Sequence, residues 1–139
     1  MFKTLLRPLL GKGKFPAELL LELHSEGVEF FEEGIWGTIT FINYKAPGRR
    51  SAWRRSAFVG AIALTSQRIV AFGRSERLLD LPFTHPTIKV VDFRLESPGS
   101  FFASFEASHF HSDRSGKIEL RFSTSQAAQI MDLLQKRIS

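Results

Sequence analysis

The spacing of the apolar residues constrains this chain most. Ile35, Gly37, Ile39 and Phe41 fall on one side of an extended segment, with Trp36, Thr38, Thr40 and Ile42 on the other. That alternation is the mark of a β-strand, here rich in β-branched residues and covered on one face and partly on the second. A break at Ala46, Pro47 and Gly48 has turn chemistry. The next strand is read from Trp53 to Leu64, where Phe58, Ile62 and Leu64 alternate with the smaller Ala57, Ala61 and Ala63. Gly60 within it marks a bend or a close approach of another backbone. Arg68 to Phe72 and Leu78 to Leu81 are short strands joined through Gly73, Arg74, Ser75 and Glu76, a hairpin-like spacing. Two more run from Lys89 to Leu95 and from Phe101 to Glu106, joined around Ser97, Pro98 and Gly99. The last has Ile118, Leu120 and Phe122 inward and Lys117, Glu119 and Arg121 outward.

After this strand the period becomes helical. Ala127, Ile130, Met131, Leu134 and Ile138 form a stripe, and Ser123 followed by Gln126 reads as a capping box. Lys136 and Arg137 in the last turn complement the helix dipole. Seven strands closed by one amphipathic helix make a mainly β, α+β fold: a small antiparallel barrel or sandwich capped by the C-terminal helix. Fourteen Phe against one Tyr suit such an interior, since Phe needs no hydrogen-bond partner. The pairs Phe30–Phe31 and Phe101–Phe102, with Phe105, read as core rather than as a base-stacking platform. Neighbouring residues on a strand point to opposite faces, and helices lying outside the barrel would cover the second face.

The N-terminal region carries helical signals. Phe2, Leu5, Leu6 and Leu9 are at helical spacing, limited by Pro8 and the Gly11 to Lys14 stretch. From Pro16 a second helix would gain from Pro in its first turn, Glu18 near its start and Gly27 as a stop. Helix and strand both remain open for this segment. The division expected is an arm over 1–27 and a domain over 28–139, and 139 residues suffice for a core without staples. The absence of cysteine excludes disulfides, thiolate zinc sites and a cysteine nucleophile. The longest apolar run, Ala57 to Leu64, is too short to span a membrane as a helix. Arg7 and Pro8 interrupt the N-terminal leucine cluster and no small-residue cleavage site follows, so a secretory signal is not expected and the cytoplasm is.

The net charge of +5 is unevenly distributed. Residues 1–14 contribute Lys3, Arg7, Lys12 and Lys14 with no acid, and residues 45–55 contribute Lys45, Arg49, Arg50, Arg54 and Arg55, again with none. The remainder is net acidic. Glu18, Glu22, Glu26, Glu29, Glu32 and Glu33 form a stretch free of Lys and Arg. Such a pattern belongs to a molecule with distinct faces rather than to a general polyanion binder, and nucleic acid is disfavoured.

The segment Ala63-Leu-Thr-Ser-Gln-Arg-Ile-Val-Ala-Phe72, then Leu79-Asp-Leu-Pro82 and the terminal helix, resembles the pleckstrin-homology-like superfold, in particular its bacterial PH and GRAM-type members. The resemblance covers about residues 28–138, by order of elements more than by identity. It implies a binding module without enzymatic activity or cofactor. It also implies that the loop joining the first two strands holds an anionic headgroup, here through Lys45, Arg49, Arg50, Trp53, Arg54 and Arg55.

On chemistry alone, five cations on a loop beside Pro47, Gly48 and an interfacial Trp53 suit an anionic lipid or membrane surface, peripherally at its inner face. The competing reading is a solvated loop whose Arg54 and Arg55 pair with the acidic 18–33 stretch. A partner of another class is a protein, including a second copy, that offers acidic residues to this loop. His109 and His111 on a strand, with Asp113, would suit an open metal site, but a strand running into a hairpin explains them equally well, and no metal is expected. No Gly-x-Ser-x-Gly elbow or phosphate-binding loop is present, and no spacing picks out a catalytic triad.

Overall fold

A computed structural model describes residues 13–138. Helix α1 spans Ala17–Glu26 and is followed by strands β1 (Val28–Ala46), β2 (Arg49–Thr65), β3 (Arg68–Gly73) and β4 (Glu76–Pro82). A 3-10 turn, Pro86–Lys89, leads into β5 (Asp92–Ser97) and β6 (Ser100–Glu106); a second, Ala107–His109, leads into β7 (Ser115–Ser123), and α2 (Ala127–Ile138) ends the chain. The expected helix over Phe2 to Leu10 lies outside the described residues.

All strands join one antiparallel sheet in the order β4-β3-β2-β1-β7-β6-β5. β1 is its spine, pairing with β2 from Val28↔Thr65 to Ala46↔Arg49 and with β7 from Trp36↔Ser123 to Lys45↔Ser115. The sheet curls round one core to which every strand and α2 contribute, including Ile39, Phe58, Ile62, Leu79, Phe101, Leu120 and Leu134. α2 covers one end through Ala127, Ile130 and Leu134. The mainly β architecture with a helical cap is therefore as the periodicity predicts, though β4 and β5 remain edges and hydrogen bonds do not close the barrel.

Phe58 shows how tightly the curl is drawn. Its ring sits over Gly37, Gly60 and Gly73 from three neighbouring strands, where an added Cβ would come within 2.9, 2.8 and 2.5 Å of it. Gly60 is also held by the opposing backbone, since its Cβ would lie 2.4 Å from the Phe72 carbonyl oxygen. This is the close approach that its place in the strand implied.

The segment after Pro16 is a helix, and it covers the outside of the sheet. Phe15, Leu19 and Leu23 pack on Ala61, Ala63, Val70 and Phe72 as a second buried layer. The small alanines of β2 let the helix approach, while their neighbours Ile62 and Leu64 face the main core. Phe30 and Phe31 are divided in the same way. Phe30 enters the core, and Phe31 meets Phe15 with ring centroids 5.6 Å apart.

Arg68 fixes α1 to the sheet. Its guanidinium pairs with Glu22 at 3.0 Å, Glu26 at 2.9 Å and Asp80 at 2.9 Å, with only 13% of its side chain exposed. Burial alone would lower its pKa, but hydrogen bonds to Glu26 and Glu22 and the charge of Asp80 outweigh it and hold the group above its ordinary value. Thr65 adds to the joint: its hydroxyl donates to Glu26 at 2.8 Å and accepts from the Gln67 and Arg68 amides.

Two local expectations are corrected. The strand placed at Lys89 to Leu95 begins at Asp92, because Pro86 and the Thr87 amide bonded to His85 Nδ1 start a 3-10 turn instead. The expected capping box at Ser123 is not formed: Ser123 still belongs to β7, and in the turn that leads into α2 the Thr124 hydroxyl accepts from the Gln126 amide at 3.0 Å.

Replacing Arg68 with Ala leaves three carboxylates at the α1 joint without their cation. Urea denaturation is expected to show a loss of about 3 kcal/mol, the lower end for breaking a buried ion pair.

Candidate functional site

The basic run is a strand-turn-strand and not a loop. Pro47 and Gly48 form the whole connection, with Gly48 at φ 75°, as a tight turn with Pro then Gly at its centre requires. Strand pairing continues to the tip through Tyr44↔Ser51, Lys45↔Arg50 and Ala46↔Arg49. The sequence reading missed this because successive arginines hide the alternation that β1 imposes on the facing strand. β7 leaves β1 at Lys45, and β3 joins β2 only from Gly60 onward. Among the described residues, Arg49 to Val59 thus pair with β1 alone and present a free edge.

This geometry spreads the cations instead of gathering them. Arg49 and Arg54 are five residues apart, roughly 17 Å along a strand at about 3.3 Å per residue. Arg49 turns toward the end of the barrel, with its guanidinium 5.6 Å from the Phe41 ring centroid. Lys45, Arg50 and Arg54 are exposed. Arg55 donates from Nε to Thr40 Oγ1 at 3.0 Å and lies 5.4 Å over the ring of Trp53, which is itself 60% exposed. Among the described residues none of these five cations pairs with a carboxylate.

The expected pairing of Arg54 and Arg55 with the acidic stretch is not formed. Glu22 and Glu26 serve Arg68, Glu29 pairs with Arg137, Glu32 accepts from the Thr124 hydroxyl, and Glu33 accepts from the Phe15 amide at 2.9 Å. The acids are spent on holding both helices and the N-terminal approach to the sheet.

Beside the hairpin tip, at an end of the barrel that neither helix lines, the sheet opens into a recess of about 740 Å³. Phe41, Tyr44, Leu79, Phe105 and Phe110 are among its apolar residues, and Arg49, Glu76, Asp113 and Arg114 are among the charged ones. Arg74, in the β3–β4 turn, brings a second guanidinium to within 5.9 Å of the Phe41 ring. Arg114 Nε is buried and among the described residues has no hydrogen-bond partner, with Asp113 at 3.9 Å. Sequence reading overlooked Arg74 and Arg114; the only signals were the tight turn at Arg74-Ser75 and Gly116 after Arg114.

Tyr44 enters this recess because of a bulge. Asn43 adopts φ 48°, and the β1–β7 register shifts between Ile42 and Lys45, so Tyr44 turns inward and its ring lies 4.8 Å from that of Phe41, tilted by 57°. Gly116 makes room: a Cβ there would lie 2.4 Å from the Asn43 carbonyl oxygen.

His109 and His111 do not share a strand face. Ala107–His109 is a 3-10 turn, and the His111 amide bonds back to the Ala107 carbonyl. Among the described residues no three His, Asp or Glu side chains converge on a metal-sized site, and no helix is long and apolar enough to cross a membrane. No protein-family model matches the chain, and no curated protein matches it.

Substituting Asn43 by Val, a β-branched residue that resists the left-handed region, is expected to cost about 1–2 kcal/mol in denaturation. It should also alter the near-ultraviolet circular dichroism of the single tyrosine. Asn43→Gly should leave both nearly unchanged.

Proposed function

We propose that the chain is a non-enzymatic binding module of the pleckstrin-homology-like kind, whose β1–β2 hairpin contacts an anionic membrane surface peripherally at its cytoplasmic face. The observation that carries this reading is the hairpin in which, among the described residues, Lys45, Arg49, Arg50, Arg54 and Arg55 have no carboxylate partner and Trp53 is exposed among them. A band of guanidinium groups spread along both faces of a ribbon matches several phosphates of a surface better than one bound headgroup. The trailing Trp53 suits the boundary between headgroups and acyl chains, where an amphipathic ring is stabilised at both ends.

Five cations at about 1 kcal/mol each give roughly 5 kcal/mol, which corresponds to sub-millimolar binding. Stable attachment therefore takes a second signal, and the apolar spacing of Phe2, Leu5, Leu6 and Leu9 supplies a candidate in the sequence.

A protein partner is the second reading, and the free edge of β2 from Arg49 to Val59 favours it. Unpaired backbone groups there accept an additional strand, and the arginines favour an acidic one. The same arginines also serve to keep unwanted strands off an exposed edge.

Co-sedimentation at low salt separates these readings. Binding to vesicles containing phosphatidylserine is expected, with none to neutral phosphatidylcholine. Reversal of Arg49, Arg50, Arg54 and Arg55 to Glu should weaken it by at least about tenfold. Unchanged binding after reversal would overturn the membrane reading. A concentration-dependent rise in mass by light scattering would favour strand pairing between copies.

A further inference from the structure

From Gly60 onward β2 lies between β1 and β3, but from Arg49 to Val59 its second edge meets no other strand among the described residues. Its pairing with β1 keeps one register without a shift from Ile35↔Gly60 to Ala46↔Arg49, so the stretch is regular strand and its side chains alternate between two faces. Arg50, Ala52, Arg54 and Ser56 share the face of Phe58, and Trp53, Arg55, Ala57 and Val59 share the other. The first face is basic. Arg50 is the register partner of Lys45, which sets two like charges side by side on neighbouring strands, and among the described residues Lys45, Arg50 and Arg54 pair with no carboxylate. Directly opposed like charges destabilise a ladder, and a carboxylate in the same row of a further strand relieves them. The second face is mostly apolar. Trp53 lies across from Ile42 and Val59 across from Trp36, and both tryptophans are more than half exposed. The one cation of this face, Arg55, is already engaged by the Thr40 hydroxyl and the Trp53 ring.

We infer that this edge receives an extended acidic segment of another protein as an added strand, with acidic side chains at alternate positions toward Arg50 and Arg54 and apolar ones between them toward Trp53, Ala57 and Val59. The open backbone N–H and C=O groups supply affinity that does not depend on sequence, and the unlike faces supply the pattern. From Arg50 to Val59 the edge is long enough to seat a whole strand of the common length, about five or six residues. A second copy of the chain is a poorer occupant, because pairing β2 with itself brings the arginines of one chain against those of the other. The inference rests on the protein-partner reading and gives that partner a sequence pattern; it does not rest on the membrane reading.

The test is a titration of the isotope-labelled full chain, followed by amide NMR and hydrogen exchange, with a capped peptide of alternating glutamate and valine about eight residues long. Saturable one-to-one binding is expected. At saturation, exchange should slow by at least about tenfold at every second amide between Arg50 and Val59 and not at those between, since only alternate N–H groups of a strand point to one edge. The corresponding peptide of lysine and valine should bind at least about tenfold more weakly, and the double variant Arg50→Glu, Arg54→Glu should reverse that preference. Equal binding of the two peptides, each with alternate protection, would overturn the acidic pattern and leave strand addition standing. Binding without alternate protection, or no saturable binding of either peptide, would overturn strand addition and with it the protein-partner reading of this edge. Alternate protection that appears in the chain alone as its concentration rises would overturn the proposal in favour of a second copy. The two peptides on the unaltered chain decide the matter even where the double variant does not fold.

Discussion

Hydrogen bonding on both edges of β1 is the constraint from which the rest of the molecule follows. From Trp36 to Lys45 it carries β2 on one side and β7 on the other, so among the described residues backbone pairing joins the two halves of the sheet nowhere else. A slip of register along the whole of such a strand would turn its core side chains outward, so curvature is taken up locally. The curvature is therefore placed at irregular points. Gly34, at φ 73°, falls where the β2 register shifts, and Asn43 falls where the β7 register shifts. At the first, the Gly34 amide donates to the Gly13 carbonyl at 2.8 Å and so anchors the segment that leads into α1. The second turns Tyr44 inward and gives the open end its aromatic floor. Structure and candidate site are thus set by the same departures from regular pairing.

The outside of the sheet is organised by charge as much as by apolar area. α1 buries Leu19 and Leu23 on alanines, a thin layer, and a guanidinium with three carboxylates holds it at its far end. On the other half, Arg94 and Arg121 flank the ring of Phe102 at 4.4 and 4.8 Å. Hydrogen bonds from Arg121 to Glu96 and Glu119 outweigh its partial burial and raise its pKa. These arginines have partners and complete the fold. Among the described residues those of the hairpin have no carboxylate partner, and this contrast, more than the number of cations, sets the hairpin apart.

Much of the fold was legible from periodicity because the main core lies on one face of every strand. A second covered face was legible too: the adjacent Phe30 and Phe31 indicated it, and Phe15 with α1 covers it. What was not legible depended on neighbours distant in sequence. A run of arginines around Pro47-Gly48 carries no alternation of its own, and only pairing with β1 makes it a ribbon. Nothing local links Arg68 to Glu22 and Glu26, so the acidic stretch was assigned to the wrong arginines. Arg74 and Arg114 each look like an ordinary turn residue until the sheet curls and brings two hairpins and the β6–β7 connection to one rim.

The placement of β7 also has a consequence for how the chain reaches its structure. The pairings β1–β2, β2–β3 and β3–β4 join segments adjacent in sequence, whereas Trp36↔Ser123 closes a loop that contains nearly all the other strands. Closure entropy grows only slowly with loop length, so this seam costs little more stability than a hairpin; its cost is in time, because non-local pairing waits on the search of a long chain. Until β7 arrives, β1 has a bare edge and the core has no helical cap. The arginines on the neighbouring strand then repel other copies of the chain during the interval when its hydrophobic face is least protected.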